Sequence, residues 1–136
     1  MERNHFNRMT GNELNSITEK IIGSAISVHK GIGPGLLESA YEECLCYEIS
    51  QAGLNFKRQV PLPVIYKDVK LDCGYRLDII VEDEIIIEVK AVQAIIPIHE
   101  AQLLSYLRML DKRLGLILNF HSAVLKSGIR RVANNF

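Results

Sequence analysis

Asp78, Glu88 and Lys90 interrupt a stretch that is otherwise built for burial, GYRLDIIVEDEIIIEVKAV, residues 74–92. If Glu82-Asp83-Glu84 is the loop of a β-hairpin, Val81 faces Ile85 and the side chains sort by parity. The odd face is then Leu77, Ile79, Val81, Ile85, Ile87 and Val89, wholly apolar. The even face is Arg76, Asp78, Ile80, Ile86, Glu88 and Lys90, with Asp78 directly opposite Glu88. Like charges directly opposite destabilise a sheet. A divalent cation between the carboxylates removes the conflict, because a hard ion such as Mg2+, or Mn2+ in its place, takes oxygen ligands and keeps several waters. Alternation places the Lys90 ammonium on the same face, one pleat from Glu88. A metal that activates water, with a lysine to orient it or to offset developing charge, is the set of parts for phosphodiester hydrolysis. Salt bridges in a checkerboard over Arg76, Asp78, Glu88 and Lys90 on a wet face would account for the same residues without a metal.

The elements that must position these groups are legible on either side. Leu14, Ile17, Ile21, Ala25 and Val28 recur at spacings of three and four, which predicts a helix from about Asn12 to Lys30. GIGPG, residues 31–35, breaks it, and a second helix is expected from after Gly35 to about Ala52, stopped by Gly53. Glu38 falls on the edge of that helix's buried stripe, so it is either a third carboxylate aimed at the same cation or the third residue of a capping box headed by Gly35.

From Phe56 the period changes to two, giving a strand that Pro61 and Pro63 confine to an edge. YKDVK makes a turn, and strands over about Lys70–Val81 and Ile85–Val92 complete a three-strand meander. A third helix follows Pro97 with Leu103, Leu107 and Leu110 on one side; His99, Gln102 and Tyr106 share the opposite, polar side. LGLILNF, residues 114–120, reads as a buried strand, reached by a right-handed crossover if it runs parallel to the third strand, with a segment around Gly128–Val132 beside it. The order predicts one three-layer α/β domain over residues 1–136 with a mixed sheet, helices on both faces and a flexible start over residues 1–10.

Composition narrows the function further. With 16 basic and 16 acidic residues the formal charge is zero, so nucleic acid must be met by local patches rather than by a global field. Lys57-Arg58, Arg108 with Lys112 and Arg113, and Lys126 with Arg130 and Arg131 are the candidates; Arg76 and His99 are weaker ones. No apolar segment is long enough to span a bilayer and the first residues do not form a signal peptide, so a cytoplasmic location is expected. Cys44, Cys46 and Cys73 form no CxxC pair and read as reduced, packed thiols. GIGPG lacks the Lys-Ser/Thr of a phosphate-binding loop and serves as a turn.

Gly35-Leu36-Leu37-Glu38-Ser39-Ala40-Tyr41 resembles the signature of the GxxExxY family, and Asp78 with Glu88-Val89-Lys90 resembles the active-site motif of the PD-(D/E)XK nuclease superfamily. The resemblance spans nearly the whole chain and implies a restriction-endonuclease-like αβββαβ core behind an extra N-terminal helix. It implies Glu38, Asp78, Glu88 and the Val89 carbonyl as Mg2+ ligands and Lys90 as the catalytic lysine. Gln102 and Tyr106 look like the QxxxY motif of RecB-like nucleases, whose residues face the site and the DNA. Leu77 stands where the nominal motif has proline. The implied activity is nuclease action, on DNA ahead of RNA, by a homodimer or within a larger assembly; the competing function is a nucleic-acid-binding or scaffolding protein that keeps the fold without cutting.

Overall fold

The computed structural model describes residues 8–136. Of the expected flexible start over residues 1–10, residues 1–7 lie outside the described residues, and residues 8–10 are tied into the fold. Met9 packs into the core and Arg8 pairs with Asp111. Helix α1, Gly11–Ile32, opens on a capping box in which the Glu13 amide donates to Thr10 Oγ1 at 3.1 Å and the Thr10 amide to Glu13 Oε1 at 3.4 Å.

The GIGPG break is held by the side chain of Tyr41. Gly33 and Gly35 take φ of 66° and 108°, a region closed to most side chains. The fully buried Tyr41 donates its hydroxyl proton to the Gly33 carbonyl at 2.6 Å, accepts from the Leu36 amide at 3.1 Å, and stacks on Phe120 with centroids 4.6 Å apart. Tyr41→Phe should therefore cost about 1–2 kcal/mol, measured as a lower urea midpoint, because it leaves two loop groups without their partner.

Helix α2, Glu38–Gln51, starts two residues later than a Gly35 cap would place it. Its N-cap is Leu37, no side-chain cap bond forms, and Glu38 is the first helical residue. The capping-box role for Glu38 is therefore excluded: the left-handed φ of Gly35 belongs to the loop that Tyr41 ties down.

Strands β1 (Phe56–Pro61), β4 (Arg76–Val81), β5 (Ile85–Lys90), β6 (Leu114–Asn119) and β7 (Ile129–Ala133) form one mixed sheet in the order β1-β4-β5-β6-β7. Only β5 and β6 are parallel, joined through α3, Pro97–Leu110. The meander is more broken than its sequence suggests. After Pro61 the chain leaves the sheet and makes a separate hairpin from β2, Val64–Tyr66, and β3, Val69–Leu71, and it rejoins only at Arg76. The two prolines remove ladder donors, and Gly74 with φ 77°, its amide held by Asp72 Oδ1 at 3.0 Å, turns the chain back.

The sheet is buried on both faces. Ile79, Val81, Ile85, Ile87 and Val89 pack under α1 and α2 with Leu14, Ile21 and Leu45. Ile80, Ile86 and Ile117 pack under α3 with Leu103 and Leu107. Leu103 sits so close to β6 that a Cβ on Gly115 would meet it at 2.9 Å, which is why that strand position carries no side chain. Tyr106 is 5% exposed and belongs to this second cluster, so it does not lie on a polar side opposite the leucines. Together, three helices around a mixed five-stranded α/β sheet make a restriction-endonuclease-like fold.

Candidate active site

The hairpin register holds, with Val81 opposite Ile85 and Ile79 opposite Ile87. Glu82 and Asp83, at φ of 52° and 55°, make the turn. The ladder stops there, one pair short of Asp78 and Glu88. The pairing of β1 with β4 skips the same point, running from Phe56 with Val81 to Arg58 with Ile79 and resuming at Val60 with Leu77. Gln59, beside the gap, takes φ of 50°. Asp78 thus lies where both neighbouring strands let go, and simple alternation does not carry through it: Leu77, on the odd side by count, packs with the cluster under α3.

The freed Asp78 carboxylate accepts the Val89 amide proton at 2.8 Å. Glu88 is 6% exposed, and its Oε1 is buried without a hydrogen-bond partner. Burial, then the neighbouring Asp78 charge, pushes the Glu88 carboxyl up to about 9, against the pull of Lys90. Burial also raises Asp78, opposed by the Val89 amide and by Lys90. Burial and the neighbouring charge thus favour a proton on Glu88 near neutral pH. The wet checkerboard is excluded by this burial.

Glu38 does not complete a triad. It is exposed, and among the described residues no three His, Cys, Asp or Glu side chains converge as a metal-holding group. The acid of α2 whose charge reaches Asp78 is Glu42, one helical turn further in and 6% exposed. Its Oε2 accepts from Arg58 Nη2 at 2.7 Å and its Oε1 from Gln59 Nε2 at 2.8 Å, so α2 grips β1 at the kink beside Asp78. Arg58 also reaches Glu43 at 3.1 Å. Sequence reasoning missed Glu42 and Gln59; the available signal was the i, i+4 spacing from Glu38, which puts Glu42 on the same helix face and deeper in the fold. Arg58→Ala should strand the Glu42 charge in the interior and lower stability by about 3 kcal/mol, read from the thermal midpoint.

On α3, the Tyr106 hydroxyl is pushed up to about 12 by burial and by the Glu88 charge, so it remains an O–H donor beside the carboxyls. Gln102 lies one turn before it, half-buried, with no hydrogen bond among the described residues. His99 does different work: its Nδ1 accepts the Ile96 amide at 3.1 Å and caps α3. Arg76 is exposed at the start of β4, its guanidinium 3.5 Å from the Gln59 carbonyl.

The remaining basic candidates do not form one patch. Lys126 is exposed near the short turn that precedes β7. Arg130 faces α3, 3.8 Å from Glu100, whereas Arg131 faces α1, with Nη2 donating to Asn15 Oδ1 at 2.8 Å. Consecutive strand residues point to opposite faces, and β7 is separated from β5 by β6. Arg58 is held by Glu42, Lys112 by Asp83 at 3.5 Å, and Arg113 by the Met9 carbonyl. The three cysteines are free, and burial pushes the Cys46 thiol up to about 11.

The fold and the carboxylate pair at its centre define a nuclease-type α/β domain. A comparison with protein-family models matches residues 15–132 to the PD-(D/E)XK nuclease superfamily, and the chain belongs to it. Searches of curated proteins and of solved structures each found no match. Members of the superfamily typically use divalent metal ions, and their substrates are nucleic acids. The residues here fit such an ion: two carboxylates meet in a dry site, and the bare Glu88 Oε1 has no protein partner. Among the described residues no helix is long and apolar enough to cross a membrane.

Proposed function

We propose that the protein is a Mg2+-dependent nuclease that hydrolyses phosphodiester bonds, in DNA ahead of RNA, and that it works in the cytoplasm. Within the superfamily we assign it to the GxxExxY group on Gly35, Glu38 and Tyr41. The observation that carries the reading is the buried pair of Asp78 and Glu88, one of whose oxygens is unpartnered, with the Lys90 charge acting on both. Asp78 and Glu88, with the Val89 carbonyl, would hold the cation, whose chemistry is to lower the pKa of bound water and polarise a phosphoryl oxygen. Lys90 orients the attacking water and offsets charge that develops on the phosphoryl oxygens. Tyr106 and Gln102 steady the phosphate as O–H and N–H donors. Glu38, exposed one turn outward from Glu42, takes the outer edge of the site, where it would act through water.

A second reading, a nucleic-acid-binding or scaffolding protein that does not cut, draws on the same feature from the other side: among the described residues two carboxylates converge rather than three. The test is a cleavage assay on single-stranded DNA, duplex DNA and RNA with Mg2+, Mn2+ or EDTA. The nuclease reading expects cutting with either ion and none in EDTA. Absence of cutting on every form supports the second reading, and cutting that persists in EDTA contradicts the metal site. Light scattering on the same preparation tests the expected homodimer.

A further inference from the structure

The hairpin of β2 and β3 stands outside the five-stranded sheet. Its strands pair only with each other, Val64 with Leu71 and Tyr66 with Val69 on one face, Ile65 with Lys70 on the other. Tyr66 is 61% exposed and Val69 54%, so the apolar face is open to solvent. A two-stranded hairpin is marginal in water by itself. This one also turns on Lys67 and Asp68, at φ of 49° and 64°, without a glycine.

Its position ties it to the carboxylates. The arm leaves the sheet where Pro61 pairs with Arg76, two residues or roughly 7 Å along the strand from Asp78. The Leu62 amide closes its root on the Tyr75 carbonyl at 2.9 Å. Tyr75, 43% exposed, stands edge-on to Tyr106 with centroids 6.0 Å apart, and Tyr106 is the side chain that the Glu88 and Asp78 charges reach. At the tip, the Lys67 ammonium lies 5.5 Å over the Tyr66 ring. Lys67, Lys70 and Arg76 are exposed along the arm and root; of the two acids there, Asp68 and Asp72, the Asp72 carboxylate accepts from the Gly74 amide.

We propose that this arm binds single-stranded nucleic acid, stacking unpaired bases on Tyr66 and Tyr75 while Lys67, Lys70 and Arg76 meet the phosphates, and so leads the strand to Asp78 and Glu88. The proposal rests on the nuclease reading and names its substrate class. Exposed aromatic rings beside cations are what sequence-tolerant binding of unpaired bases uses, since every base has a face to stack. Pairing with a second copy is disfavoured by the lysines on the arm, since charged side chains blunt an edge against strand addition.

The test is fluorescence anisotropy of a labelled oligothymidylate and of a labelled duplex with the full chain in EDTA, where binding is read without cutting. Wild type is expected to bind the single strand more tightly than the duplex. Tyr66→Ala should weaken single-strand binding about 10-fold, and Tyr66→Phe, which keeps the stacking face, should bind like wild type. Tyr66 is exposed, so a circular dichroism melt is expected to be unchanged in both. The proposal is overturned if wild type does not bind the single strand or prefers the duplex. It is equally overturned if Tyr66→Ala binds like wild type, or if that variant changes only the oligomeric mass. Metal-dependent cutting by wild type alongside a silent Tyr66→Ala sinks the arm alone; Tyr66-dependent binding with no cutting on any form sinks the nuclease reading alone.

Discussion

Glu88→Gln is expected to make the metal-free protein more stable at pH 8.5 than wild type while weakening its hold on Mg2+ or Mn2+ by about 100-fold. The unfolded chain releases the Glu88 proton near its ordinary value of 4.5, whereas the folded chain keeps it to about 9. Between those values the folded state binds more protons than the unfolded one, so stability is fully present below 4.5 and is lost as the pH rises toward 9. Glutamine holds its hydrogen at every pH and removes that dependence. The difference at pH 8.5 should be a few kcal/mol, appearing as a flatter plot of thermal midpoint against pH. A cation replaces the proton, so wild type should release about one proton per ion bound near neutral pH, measured by calorimetry in buffers of different ionisation enthalpy. Equal pH slopes for the two proteins would contradict a buried Glu88 carboxyl that keeps its proton.

Asp78→Asn and Lys90→Met are expected to separate two functions of the site. Asp78→Asn keeps the shape but removes a charge from the cation's side, so cutting should fall about 1000-fold and metal affinity with it. Lys90→Met removes a charge that acts on both carboxyls without being a ligand. It should lower the cleavage rate by about 100- to 1000-fold while leaving cation binding within a few-fold of wild type. Single-turnover cleavage combined with titration of Mn2+ reads both quantities. Equal cutting by wild type and both variants would place the chemistry elsewhere.

Much of this arrangement is legible before any coordinates, and what is not has physical causes. The hairpin loop at Glu82–Glu84 and the register Val81 to Ile85 follow from parity, because a one-residue slip would put charge on the buried face. The buried strand at Leu114–Asn119 and the helix before it follow from period and length, whereas its parallel pairing with β5 does not. Parity fails at Asp78, where both ladders open and Gln59 takes a left-handed φ; a local break in twist leaves no mark in a two-residue pattern. The α2 start was misplaced because Gly35 resembles a cap, whereas Tyr41, six residues on, decides what that glycine does. Glu42 was passed over for Glu38 because the helix edge can be counted from sequence but the depth of the helix against β1 cannot. The paired arginines Arg130 and Arg131 read as one patch in the chain and lie on two faces in the fold.

On the proposed reading Asp78 and Glu88 hold one divalent cation in a dry site beside Lys90. Anomalous diffraction from crystals grown with Mn2+ tests this. The expected result is a single strong peak between the two carboxyls, with Glu88 Oε1 among its nearest oxygens, that disappears in Glu88→Gln. A peak elsewhere, or the same peak retained without the Glu88 carboxylate, would contradict it.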